Sequence, residues 1–471
     1  MIFPVITFIL MTFIIGIHSA SRIGGKVKNF FVAGNIIPFW VLALSLSGQA
    51  IEVGSTTLNA NISMTNPFLI GAIYPIGIGI SLVLIGLFFA KPLHKMRLLT
   101  LPDFYFRRYD KSVETIVSFL CVASFIVLLA ANLAGLGFIL SQILPGTLTQ
   151  SQYTIMIALI IMIYTMAGGL FAVTWNDILH VGVILLGFVA AFIWMVNNKG
   201  SEFSMSTIST QLTMDPLIDF NKGALQNWAY LLALGLGDII AIDFMERVFA
   251  AKSPRYAKAS CILSGLLTIM IGTLIAFIGI LAFTFFPEGT KPENLNLISF
   301  INQYLPHGIG MMVMIGLIGA CISTADGAIM ACSVVISKNV IQQRFPNLIP
   351  QNRLLLFSRL TAIPITILSI VVAIYKPEPG TLLVLAFDMV FAGCLIPLTL
   401  GIYWKKANAR AAFWAMLIPS TVRLAFFFIE EYKLIGPNLF GLGTIVSPIL
   451  SLTIFIAFCY GRKEDEKALK L

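Results

Sequence analysis

Residues 318–334 read IGACISTADGAIMACSV, an apolar run of helical length in which Ser323, Thr324 and Asp326 fall close together. Two hydroxyls and a carboxylate cost little on a water-facing helix and a great deal in hydrocarbon. The solvent around the stretch therefore decides its meaning. Of 471 residues, 58% are hydrophobic and 11% charged, and mean hydropathy is +0.94; a soluble domain carries roughly a quarter charged residues. The chain reads as an integral membrane protein, so the stretch is a polar patch inside a membrane helix. The first residues, MIFPVITFILMTFIIGIHSA, lack a basic leading region and a small-residue cleavage pattern and are read as a retained helix. Six cysteines, Cys121, Cys261, Cys321, Cys332, Cys394 and Cys459, sit separately in apolar segments, and neither a disulfide framework nor a metal site follows from them.

About 20 apolar residues cross a bilayer, and on that rule thirteen spans are expected, at about 1–19, 38–62, 67–93, 113–142, 151–171, 174–197, 224–248, 255–286, 306–340, 353–375, 380–404, 409–430 and 441–460. Lys and Arg concentrate in alternate connections: Arg22 to Lys28, Lys91 to Lys111, Arg247 to Lys258, Lys338 to Arg353, Lys405 to Arg410, and the tail from Arg462. Basic residues near span ends are retained in the cytoplasm, which predicts an outside N-terminus, a cytoplasmic C-terminus and residence in the plasma (inner) membrane. The net charge of +9 is then a topology signal rather than a nucleic-acid signal. One membrane domain is expected, without a sizeable soluble domain or short tandem repeat.

Polar residues within spans mark function. In the second span, PFWVLALSLSGQAIEVGSTTLNANI, the residues Ser45, Gly48, Gln49, Glu52, Ser55, Thr56 and Asn59 recur at steps of three and four and form one stripe. Small residues alone are explained by close helix packing; Glu52 is not. The seventh span, NWAYLLALGLGDIIAIDFMERVF, also has mid-span glycines, Gly235 and Gly237, followed by Asp238 and Asp243. Interrupted spans at corresponding positions of two halves point to a transporter site, so spans 2–6 and 7–11 are expected to be inverted repeats. Ser323 and Thr324 are uncharged hard-oxygen ligands suited to Na⁺, unless both merely bond back to carbonyls one turn earlier. At about 1.5 Å per residue, Ser323 and Gly48 lie at similar depth and are expected to meet.

These residues carry a resemblance. ACISTADGAIMACS, YTMAGGLFAVTWNDILH, RRYDK, ERVFAAKSP and GIYWKKANARAAFW together resemble, in place and kind, the sodium:solute symporter family over nearly the whole chain. The resemblance implies an all-α polytopic membrane fold with a five-plus-five inverted-repeat, LeuT-like core: one helix before it (1–19), repeats at 38–197 and 224–404, and two helices after (409–460). It implies Na⁺ held by the carbonyls of Gly48, Ile51 and Ala320 and the hydroxyls of Ser323 and Thr324, with Asp177 near the inner sodium exit. An N-cap role would also account for Asp177. Position 50 is Ala where proline transporters have an acidic residue, and Glu52 stands two residues later. Glu52 is expected to bind an ammonium group, carry a proton or pair with a cation.

A substrate site lined by Gln49, Glu52, Ser55 and Asp238 is expected on the outer side of the sodium site. Asp388 and Arg423 fall in the outer halves of spans 11 and 12 and are expected to form a structural ion pair, the alternative being an outer-gate role. Asp326 is expected to act through inner-end packing or gating. The four histidines are read at opposite ends of spans and are not expected to form one metal cluster. No nucleophile elbow, phosphate loop or zinc spacing is present, so an enzyme is not expected. The expected function is sodium-coupled uptake of a small polar organic solute by alternating access. An amino acid such as proline is favoured over a sugar, vitamin or carboxylate, because the stripe offers acceptors and no fixed cation. The alternatives are a proton-coupled transporter of the same fold, or a channel or sensor derived from it. Na⁺ is the expected coupling ion, with no organic cofactor; the partners are the solute, Na⁺ and membrane lipid, with no nucleic acid, and the functional unit is a monomer.

Overall fold

A computed structural model describes residues 2–199, 212–287, 289–291, 294–347 and 349–460. Among them the architecture is helical, with one isolated strand-like bridge between Ile37 and Ala251. Nine helices among the described residues are long and apolar enough to cross a membrane, and eleven when each of two bent pairs is taken as one span.

The first helix, α1 (Ile2–Ser19), precedes a short connection to α2 (Phe39–Ala50). The second span then unwinds: Ile51 takes φ −92°, ψ 84°, and a wide turn at Gly54–Leu58 leads into α3 (Asn59–Thr65). Next come α4 (Phe68–Leu84), the short α5 (Pro102–Arg108) and α6 (Lys111–Ile143). The fifth and sixth expected spans are contained in α7 (Gln150–Lys199), which has 50 residues and a kink at Gly169. There φ is +55° and a Cβ would meet the Phe30 ring at 2.6 Å, so both the backbone angle and the packing call for glycine. Twelve-residue α2 and the merged α7 account for much of the difference from thirteen separate helices.

The seventh span is bent by 44° between α8 (Ala224–Leu232), with its extension through Ile240, and α9 (Ile242–Ala250). It is followed by α10 (Pro254–Phe283), a short α11 (Leu297–Gln303) and α12 (His307–Val335), which passes Ser323 and Thr324 unbroken. The chain ends with α13 (Leu354–Tyr375), a second bent pair α14 (Pro379–Gly393) and α15 (Leu395–Tyr403) at 42°, then α16 (Ala409–Glu431) and α17 (Leu442–Cys459).

The basic connections lie on one face. Asn35 donates to the Phe249 carbonyl and Ile37 to Ala250, while His94 contacts the Ala251 carbonyl at 2.8 Å. Lys111 donates to Gln343, and Arg108 donates to the carbonyls of Gly401 at 2.9 Å and Trp404 at 3.3 Å. RRYDK thereby satisfies carbonyls left open at the end of α15, inside GIYWKKANAR. The charges of the tail from Arg462 lie outside the described residues, as do residues 200–211 of the 198–223 loop. Arg247 departs from the expected pattern: rather than sitting in a basic loop, it is 1% exposed on α9.

Caps agree with sequence logic at several helix starts. Asp110, Ser253 and Asn408 each accept a backbone N–H from the first turn of α6, α10 and α16.

Candidate functional site

Four helices meet at the break in the second span. Gly48 on α2 is so near α7 and α12 that a Cβ would lie 3.1 Å from Asp177 Cβ and 3.2 Å from Ser323 Oγ. Ser323 donates to Asp177 Oδ1 at 2.7 Å. Thr324 Oγ1 donates across to the Gln49 carbonyl at 3.1 Å and, more loosely, to Ala320 at 3.4 Å in its own helix. The Ser323 hydroxyl thus does not simply fold back on α12, and that of Thr324 does so as its longer contact. A hydroxyl that has given its proton away keeps lone pairs for a cation, so the donor chemistry of this seam suits a small hard ion. The broken backbone at Ile51 supplies non-helical geometry at the same level.

Asp177 is fully buried and does not act as a simple cap: it lies inside α7 and also accepts from the Ser45 hydroxyl and from Arg247 Nη2 at 2.9 Å. Arg247 further donates from Nε to Ser45 Oγ at 2.9 Å and from Nη2 to Gln49 Oε1 at 2.8 Å, and from Nη1 to the Asp243 carbonyl at 3.2 Å. One guanidinium therefore ties α9 to α2 and α7 through its fork of donors, a task Lys could not copy. Its sequence signal is the span-7 run DFMERVF, which keeps Arg247 one turn from Asp243 on the inner half of a broken span. Counting Arg247 among loop charges hid it.

The remaining polar groups gather above this seam. Gln49, Glu52 and Asp238 line one small cavity together with Asp243, Thr324, Leu128, Ile78, Phe244 and Phe387, with room for about one water molecule. Ser55 is not among its walls; its hydroxyl closes on the Ala50 carbonyl at 3.1 Å. Asn132 on α6 holds the broken segment from the side, accepting from Val53 N at 3.3 Å and donating to Glu52 Oε2 at 3.2 Å. A single Asn in the apolar stretch AANLAG was the unread signal for that contact. Gly327, one turn beyond Ser323, makes space for Gln49: a Cβ there would sit 2.2 Å from its Oε1. Asp326 accepts from Tyr164 Oη at 2.7 Å.

Asp388 and Arg423 meet away from this centre. Arg423 Nε lies 2.5 Å from Asp388 Oδ2, which also accepts from Thr444 at 2.7 Å, and Arg423 reaches Glu430 at 3.4 Å. The three charges and Thr444 join α14, α16 and α17.

A sodium/glucose cotransporter of Vibrio parahaemolyticus is 21% identical over 434 residues, covering 82% of this chain and 77% of that protein. Human high affinity choline transporter 1 is 23% identical over 429 residues, covering 87% of this chain and 73% of its own. Among solved structures, a Na⁺-coupled sialic acid symporter in an outward-open state superposes with TM-score 0.83 at 18% identity, over 99% of this chain and 98% of that one, and shows the shared LeuT-like fold. Residues 30–419 match the sequence model of the Sodium:solute symporter family, and the chain belongs to that family.

Proposed function

We propose that the protein is a sodium-coupled symporter that takes up a compact polar organic solute by alternating access, with an amino acid such as proline favoured over a sugar, vitamin or carboxylate. As a member of its family it is a membrane transporter and not an enzyme. The observation that carries the reading is the seam between α2 and α12, where Ser323 and Thr324 face Gly48, Gln49 and Asp177 across the helix break. On this reading Na⁺ sits among the carbonyls of Gly48, Ile51 and Ala320 and the two hydroxyls. Asp177 lies on its inner exit and the solute rests against Gln49, Glu52 and Asp238. The cavity and the seam share Gln49 and Thr324 as a wall, so occupancy of one site biases the other, by the same factor in both directions. Na⁺ is the coupling ion and no organic cofactor takes part.

The architecture proposed with it has repeats at 38–197 and 224–404 flanked by one helix before and two after. The thirteen-span count takes α7 as two spans and α2 with α3 as one. The basic face is cytoplasmic, the N-terminus outside and the C-terminus inside, in the plasma (inner) membrane, and a monomer is the working unit. Asp388 and Arg423 are structural.

The test is the sodium dependence of solute uptake in Ser323→Ala/Thr324→Val. The exchange keeps approximate volume and removes both hydroxyl ligands, and the half-saturating Na⁺ concentration rises at least tenfold, equivalent to about 1.4 kcal/mol. An unchanged value in a normally inserted protein assigns the hydroxyls to helix packing instead.

A further inference from the structure

The cavity at the centre has an unbalanced wall. Glu52, Asp238 and Asp243 are 2%, 1% and 2% exposed, and no Lys or Arg lines the space with them. Glu52 Oε1 and both oxygens of Asp238 have no hydrogen-bond partner, while Asp243 Oδ1 accepts from the Phe244 N–H at 2.7 Å. The nearby guanidinium of Arg247 is committed to Ser45, Gln49, Asp177 and the Asp243 carbonyl. Carboxylates buried without partners are expensive and demand either a proton or a donor-bearing cation.

We propose that the space between Glu52 and Asp238 receives the protonated amine of the transported solute, and that the site reads the N–H donors of that cation rather than any carboxylate the solute carries. This rests on the symporter reading above and names the substrate class of its cavity: primary and secondary amines, whether or not they are zwitterions. The unfilled positions are acceptors, so charge alone does not complete them; each N–H of an ammonium fills one. A fully methylated ammonium brings the same charge and no donor. Phe244 and Phe387 also line the space and supply aromatic surface for the carbon atoms next to the nitrogen and for the cation. A carboxylate on the solute finds no base in this lining. Its size, about that of one water molecule, admits the nitrogen with its hydrogens, so the rest of the solute extends out of it, towards the space bounded by Val53, Thr57 and Leu58 next to Glu52.

The experiment is a thermal-unfolding series on the purified full-length protein at constant ionic strength, in Na⁺ and separately in K⁺. The ligands are methylammonium, dimethylammonium, trimethylammonium and tetramethylammonium, with proline, pyrrolidine and acetate alongside. Stabilisation in Na⁺ is expected to fall along the methyl series although apolar surface grows. Pyrrolidine should protect at least as well as proline, and acetate should not protect. Glu52→Gln and Asp238→Asn should each raise the half-saturating dimethylammonium concentration at least tenfold. The idea is overturned if tetramethylammonium protects as well as dimethylammonium, if acetate matches proline, or if no amine protects. The wild-type series decides even where a variant does not fold. Stabilisation by Na⁺ over K⁺ without any amine response removes the amine site and leaves the sodium reading standing; an amine response equal in the two salts removes sodium coupling and leaves the amine site.

Discussion

Removing the charge of Asp177 and of Arg247, singly and together, measures how the four helices are held. In Asp177→Asn the amide oxygen can stay towards Arg247 and Ser45 while its NH₂ turns to Ser323, whose hydroxyl rotates to accept. What is lost is the counter-charge of a guanidinium 1% exposed. Breaking a buried pair by removing one partner costs about 3–5 kcal/mol. Arg247→Met strands the carboxylate instead, left with Ser45 and Ser323 as donors, and costs a similar amount by the same reasoning. In the double variant no buried charge is stranded, and the loss reduces to two or three ordinary hydrogen bonds, about 2–3 kcal/mol. The double variant should therefore be less damaged than the sum of the singles by at least about 3 kcal/mol. Unfolding by sodium-free denaturing detergent in mixed micelles, in K⁺, reads the three values without ion binding. Losses that add within about 0.5 kcal/mol would mean that the 2.9 Å contact carries no coupling and that each residue acts through its other neighbours.

Two further outcomes are expected. Gly327→Ala puts a methyl 2.2 Å from Gln49 Oε1, so Gln49 must leave Arg247 and the Thr324 carbonyl; uptake should fall at least tenfold, and wild-type transport kinetics in this variant would show that Gln49 has no positioning role. Burial opposes ionisation of Asp103, but Lys338, Asn339 and the Leu99 N–H outweigh it and hold its carboxyl below the usual value. With the folded pKa depressed, the contribution to stability is full above the unfolded value of about 3.9 and is lost as pH falls through the folded one. The stability gap between wild type and Asp103→Asn should shrink as pH falls below about 4; a gap independent of pH from about 5 down to about 3 would remove the ion pair from the account.

Fold class was written in hydropathy, because spans are set by the thickness of hydrocarbon, and the breaks in the second and seventh spans were visible as glycine pairs beside carboxylates, whereas the bend between α14 and α15 was not read. The meeting of Gly48 with Ser323 followed from depth alone. Partners across helices were harder to read. Arg247 lies four residues from Asp243 but bonds to residues 198 and 202 positions away along the chain, and no local pattern encodes that. The same holds for Asn132 and Glu52. Ser55 shared the polar stripe of the second span, yet the turn at Gly54–Leu58 rotates it out of register with a continuous helix, so a wheel drawn through the break misplaces it.

The tight approaches at Gly48 and Gly327 also limit how this protein can be given a new substrate. Backbone at Gly48 sits tightly against Asp177 and Ser323, with a Cβ at 3.1–3.2 Å, and at Gly327 a methyl group has no space beside Gln49, so the polar end of the cavity is narrowly constrained in width. Ile78, Leu128 and Phe387 form its adjustable side: their side chains are apolar and take no part in the hydrogen bonds of the seam. Shortening Phe387 enlarges the chamber at the cost of core packing, about 3–5 kcal/mol for a Phe→Ala exchange, while leaving the Asp177–Arg247 contact in place. Divergence in solute size within this scaffold is then free to proceed through apolar side chains, under a chemistry of recognition that the two glycines keep constant.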